Sequence, residues 1–127
     1  MIRHVVFSLI LAAACASLSL AEVVEFTSPG FPPSRMDAEG RLTEDWGSLK
    51  IIVEGDGVMA QGGTVQVVRL EELVPAAVWS CEAGPIRVTA TAYRAPVFPS
   101  GMDVLTVTLQ ETAGQDRHVT LKMVVNP

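Results

Sequence analysis

Cys81 and His118 are the two most reactive side chains in the body of this 127-residue chain. A cysteine nucleophile needs a base within hydrogen-bond reach, and the only other histidine is His4, close to the N-terminus. The pair stands far apart in sequence. Alternation places Cys81 on the same strand face as Trp79 and puts His118 on a polar face. This favours Cys81 as a small buried apolar residue over Cys81 as a nucleophile. A Cys/His-dependent enzyme is therefore the third-ranked function.

Metal chemistry finds less support. Met36, Met59, Met102 and Met123 accompany Cys81 and His118, but no Cys-x-His or His-x-Met spacing gathers them as a copper site requires. A catalytic zinc site takes three protein ligands, commonly two or three of them histidine. Asp37, Glu39, Glu44 and Asp45 cluster in one stretch, yet Asp37-Ala38-Glu39-Gly40 only partly imitates a calcium loop, and solvated loop charge is the better reading. Gly55-Asp56-Gly57 and Gly62-Gly63 read as turns and not as phosphate cradles, and no serine sits in a Gly-x-Ser-x-Gly elbow. No cofactor and no metal are expected.

The large amphipathic rings offer a second kind of site. Trp46 and Tyr93, with Arg87 on the outward face of the Tyr93 strand, are candidates for a small sugar-binding platform. The competing reading is that Trp46 closes one end of the core and Tyr93 caps a strand.

The elements that position these residues begin after a leader. Met1-Ile2-Arg3-His4 is a short basic segment, Val5 to Ala14 is apolar, and Ser19-Leu20-Ala21 supplies small residues where a signal peptidase reads. Cleavage after Ala21 is expected, with a domain spanning 22–127 that is secreted or periplasmic. An alternative is an envelope-anchored lipoprotein. Leu11-Ala12-Ala13-Ala14-Cys15 resembles a bacterial lipoprotein box, with Cys15 as the lipidated residue and Ala12 where a branched apolar side chain is preferred. No membrane span is expected in the mature form.

In the mature part, apolar residues alternate with period two between Gly- and Pro-rich turns. Ile86, Val88, Ala90 and Ala92 oppose Arg87, Thr89, Thr91 and Tyr93. Leu105, Val107 and Leu109 oppose Thr106, Thr108 and Gln110. Val119, Leu121, Met123 and Val125 oppose His118, Thr120 and Lys122. Shorter runs surround Val24 and Phe26, Leu49 to Val53, Val65 and Val67, and Ala77 to Cys81. About seven short strands predict an all-β antiparallel sandwich, with a barrel as the alternative. Arg69 to Leu73 breaks the alternation as a bulge or a helical turn. Residues 28–47, with Pro29, Pro32 and Pro33, read as a long irregular loop that hides at most an edge strand near Arg41-Leu42-Thr43.

In strand number and spacing the chain resembles the immunoglobulin-like sandwiches of secreted bacterial proteins. The Cys…Trp…Cys hallmark of antibody domains is missing, because only Cys81 remains after cleavage.

The formal charge is −5, and removal of Arg3 with the leader leaves 8 basic against 14 acidic residues, or −6. An acidic chain without a basic stripe is a poor ligand for nucleic acid. The leading expectation is a non-catalytic protein acting through its surface on a protein or cell-envelope partner. The outward Thr89, Thr91, Thr106, Thr108 and Thr120, with Arg87, His118 and Lys122 among them, would form its docking face. A small carbohydrate-binding module is the alternative.

Overall fold

The computed structural model describes residues 22–60, 62–97 and 101–127. The leader lies outside the described residues, and with it Cys15 and the cleavage position after Ala21. The described residues form ten strands and no helix. In chain order these are β1 (Val23–Phe26), β2 (Ser34–Asp37), β3 (Arg41–Glu44), β4 (Gly47–Gly55), β5 (Val58–Met59), β6 (Thr64–Leu70), β7 (Val74–Ala83), β8 (Ile86–Ala95), β9 (Met102–Glu111) and β10 (Thr120–Asn126).

The strands make two antiparallel sheets arranged as a sandwich. The first sheet runs β1-β2-β3-β4-β10, with β5 folded back on β4, and the second runs β6-β7-β8-β9. Each sheet is a meander of consecutive strands. The chain passes from the first sheet to the second between β5 and β6 and returns between β9 and β10, which sets β10 beside β4.

Period-two patterning explains the layers. Along β8, the even-numbered side chains from Ile86 to Ala92 are buried and the odd ones are half-buried or exposed. Register carries this row across the sheet: Val88 opposes Cys81 and Leu109, and Ala90 opposes Trp79 and Val107. From the first sheet, Phe26, Met36, Leu42, Ile51 and Val53 meet it. Trp79 lies at the centre with 1 % of its surface exposed. Its indole Nε1 donates to the Ala38 carbonyl at 2.8 Å, so the one polar atom of the ring is satisfied across the sheets.

The stretch 28–47, expected as a loop, is structured. It contains β2 and β3, and β3 is an inner strand between β2 and β4 rather than an edge. Asp37, a candidate calcium ligand by sequence, instead closes the β2–β3 turn. Its Oδ1 accepts the N–H groups of Glu39 (3.0 Å) and Arg41 (2.9 Å), as an aspartate at a tight turn does. Gly40 follows in the left-handed region at φ +76°, lying so close to the Trp79 ring that an added Cβ would stand 3.0 Å from it.

Arg69 to Leu73 resolves as the end of β6 and a hairpin turn, in which Glu71 and Glu72 take positive φ and Leu70 pairs with Val74. The β4–β5 hairpin turns on Asp56 and Gly57, both at positive φ as a two-residue primed turn demands.

The expected threonine face divides in two. Thr89 pairs with Thr108 and Thr91 with Thr106 on the outer face of the second sheet, whereas Thr120 pairs with Glu54, and Lys122 with Ile52, on the first. Alternation fixes which side of its own strand a residue takes, but it says nothing about which sheet that strand joins.

Candidate functional site

The chemically densest place in the protein lies between the sheets at one end of the sandwich. Arg94 ends the inward row of β8, continuing Val88, Ala90 and Ala92. Its side chain is 3 % exposed and meets Glu44 of β3, whose side chain is fully buried. Arg94 Nη1 lies 2.8 Å from Glu44 Oε2, 3.0 Å from the Pro32 carbonyl and 3.1 Å from Ser34 Oγ. Ser34 Oγ is within 2.8 Å of Glu44 Oε2 and 3.1 Å of Asp103 Oδ1 on β9. Ser28 Oγ donates to the Arg94 carbonyl at 2.5 Å. Asp45 Oδ1 lies 3.9 Å from Arg94 Nη2 at the rim. The cluster thus ties β2 and β3 of the first sheet to β8 and β9 of the second.

Three carboxyls (that of Asp45 at the rim) and one guanidinium share this site. Burial, and then the hydrogen bond with Asp103, push the Glu44 carboxyl up from 4.5 to about 7, against the opposing pull of Ser34 and Arg94. Glu44 Oε1 is buried and receives no hydrogen bond. Such a group holds its proton below about 7. Perturbed carboxyls often mark active sites. Here, however, the two innermost partners are sealed from solvent, and a substrate cannot reach them. The arrangement is an inter-sheet clamp. By sequence Glu44 reads as solvated loop charge and Arg94 has no assigned role, whereas the structure buries both. The available signal was an arginine in register at the end of an inward row, which calls for a buried carboxylate opposite.

The residues singled out by type fall in separate places. Cys81 is buried in the core on β7 at 5 % exposure, and His118 is exposed on the segment before β10. The His118 backbone N–H donates to Asp56 Oδ2 at 2.8 Å, beside the β4–β5 turn. Cys81 is enclosed between the sheets and His118 stands in solvent outside any strand, so they do not form a dyad. A thiol enclosed in this way should react with a thiol reagent on the order of a hundredfold more slowly in the native protein than in denaturant. Equal labelling rates under the two conditions would refute its placement in the core.

Trp46 is 47 % exposed at the β3–β4 turn. Tyr93 is half-buried on the outer face of β8, beside a groove of about 250 Å³ with Leu73, Val74, Pro75 and Pro96. Arg87 stands six residues up the same strand, roughly 20 Å away at 3.3 Å per residue, and is paired with Glu82 at 2.9 Å. The three do not make one platform. Among the described residues, no group of three or more His, Cys, Asp or Glu is placed to hold a metal ion, and no helix is long and apolar enough to cross a membrane.

The remaining surface feature is the free edge of β10. This strand pairs with β4 along its whole length and, among the described residues, carries no strand on its other side. Leu121, Met123 and Val125 share a face with the buried Val53 and Ile51, yet they are 37 %, 47 % and 52 % exposed. Val124 on the opposite face is 42 % exposed. The apolar row expected to be core is thus open to solvent. On the second sheet, the inner row of β9 (Leu105, Val107, Leu109) is only partly buried.

Comparison with protein-family models, curated proteins and solved structures finds no match to this chain.

Proposed function

We propose that the protein is a non-catalytic module of the secreted or periplasmic compartment that works by surface contact with a protein or cell-envelope partner, and that β10 makes this contact. The observation that carries the reading is the exposure of Leu121, Met123, Val124 and Val125 along a strand with one free edge among the described residues. Apolar side chains on both faces of an edge cost solubility, and natural sheets blunt such edges with charge, proline or a bulge. A contiguous apolar patch left open in this way marks an interaction site. Backbone groups on the free side would add hydrogen bonds to a docked strand.

The test is capture from envelope extract with the purified protein as bait. Val124→Lys places a charge on an exposed side chain and leaves the core alone, and it should abolish retention of the partner. Thr106→Lys, on the exposed outer face of the second sheet, should not. Equal capture by all three forms would overturn the assignment to β10.

A second reading rests on Trp46, whose indole is exposed at a turn as a sugar-stacking ring must be. It predicts glycan binding that disappears in Trp46→Ala and persists in Arg87→Ala.

A further inference from the structure

We infer that the partner of the β10 edge is a second copy of this chain, paired antiparallel through β10 across a twofold axis at Met123, so that the two first sheets join into one. The inference rests on the reading above and names its partner.

The edges formed by β1, β6 and β9 are defended and that of β10 is not. β1 has only four residues. β6 carries Arg69 on its inner row, in register with Pro75 and two residues from Val67. The inner row of β9 ends in Asp103 and Glu111, opposite Arg94 and Ile86. Inward-pointing charge on an edge strand disfavours the docking of another strand, because that charge would have to be buried. The inner row of β10 is Leu121, Met123 and Val125, with no charge.

Charge selects a second copy as the occupant. The chain carries 14 acids, and none of them lies between Arg117 and Pro127. Two copies can therefore pair along this strand without setting acid against acid, as they could not along β9, which carries Asp103 and Glu111. Its one charged side chain, Lys122, is already paired with Glu54 of the neighbouring strand.

The sequence of β10 is self-complementary in one register. Full overlap of the seven residues Thr120–Asn126 puts the axis at Met123. Leu121 then opposes Val125 of the second copy, Lys122 opposes Val124, and Thr120 opposes Asn126. Every inner pair is apolar and no like charges stand directly opposite, as favourable cross-strand pairing requires. An axis at Lys122 would set two ammonium groups face to face. An axis at Val124 would shorten the overlap.

Joining seven-residue strands and covering these side chains buries on the order of 1,000 Å² in all, the low end for a specific interface. An interface at that end of the range fits a weak, reversible dimer.

Sedimentation equilibrium of the purified protein, from about 1 to several hundred micromolar, should show a monomer–dimer equilibrium. Met123→Lys alters a side chain already exposed in the monomer and places two charges at the axis, so it should weaken the dimer at least tenfold. Met123→Cys should form a disulfide-linked dimer under mild oxidation, because residues opposite each other at the axis have Cα atoms within bridging distance. Thr120→Cys should not. A mixture of Leu121→Cys and Val125→Cys should link only as the mixed pair. A monomer at every concentration, or cross-linking that ignores position, overturns the inference. If capture of an envelope protein still depends on Val124 in that case, the edge serves a different chain and the broader reading stands. If the dimer forms while capture ignores β10, the dimer stands and the broader reading falls.

Discussion

The protein should lose stability as pH rises from about 4.5 to about 7, by on the order of 3 kcal/mol, and Glu44→Gln should remove that loss. The clamp dictates the sign. The folded-state value of Glu44 is raised to about 7 from 4.5, so the native state holds a proton there that the unfolded chain releases. Stability from this source is complete below about 4.5 and falls as pH climbs through the folded value. Glutamine keeps the shape of the side chain and is neutral at every pH, so the Glu44→Gln protein should match the parent near pH 5 and exceed it near pH 8. Glu111 works in the opposite sense: the backbone N–H of Gln115, and then Arg117, hold its carboxyl below the usual range. Its effect falls at lower pH and is common to both proteins, so the difference between their denaturant midpoints isolates Glu44. Parallel stability curves for the two proteins would eliminate the shared-proton account of the clamp.

Arg94 follows from the same geometry. Arg94→Met leaves the buried Glu44 carboxyl without its guanidinium and the Pro32 carbonyl without its donor. Removing one partner of a buried pair costs about 3–5 kcal/mol. The cost should grow with pH, because the remaining carboxyl then has to ionise without a counter-charge. Replacing Glu44 by Leu in the Arg94→Met background should recover part of the loss, since the uncompensated group is then gone.

How far such features could be read from the residues depends on whether burial and hydrophobicity coincide. On β8 and on the Ala77–Cys81 part of β7 they do, and alternation placed Cys81 with Trp79 and Tyr93 on the outer face. On β2 and β3 they part company. β2 buries Ser34 and Met36, and β3 buries Leu42 and Glu44, so each four-residue strand shows one apolar inward residue and one polar one. Its hydrophobic period is too weak to see, although its burial period is regular. The polar inward positions are the clamp, so one cause hid both the strands and the cluster. β10 shows the reverse case. Its apolar row is as clear as that of β8 and does turn to the inner side of its sheet. Burial was the wrong inference, because it also needs a layer on the far side, and that is a property of the whole fold.

Trp79→Ala should cost about 3–5 kcal/mol, the usual range for truncating a buried aromatic, and much of that cost should fall on the β2–β3 hairpin. The indole fills the centre between the sheets and holds the Ala38 carbonyl through Nε1. It also supports Gly40 from below and lies against Gly63, where an added Cβ would stand 2.7 Å from Nε1. Removing the ring leaves a cavity beneath a turn that has few apolar residues of its own, Met36 and Leu42 being the buried ones. Trp79→Phe separates the two contributions. It keeps most of the apolar volume and loses the donor, so it should cost about 1–3 kcal/mol, from the lost ring volume together with a part-buried acceptor left without its partner. Hydrogen exchange gives the spatial readout. In Trp79→Phe the amides of β2 and β3 should lose protection, while those of β8 and β9 keep theirs. Uniform loss across both sheets would mean that Trp79 acts only as core volume and that the Ala38 hydrogen bond does not anchor the hairpin.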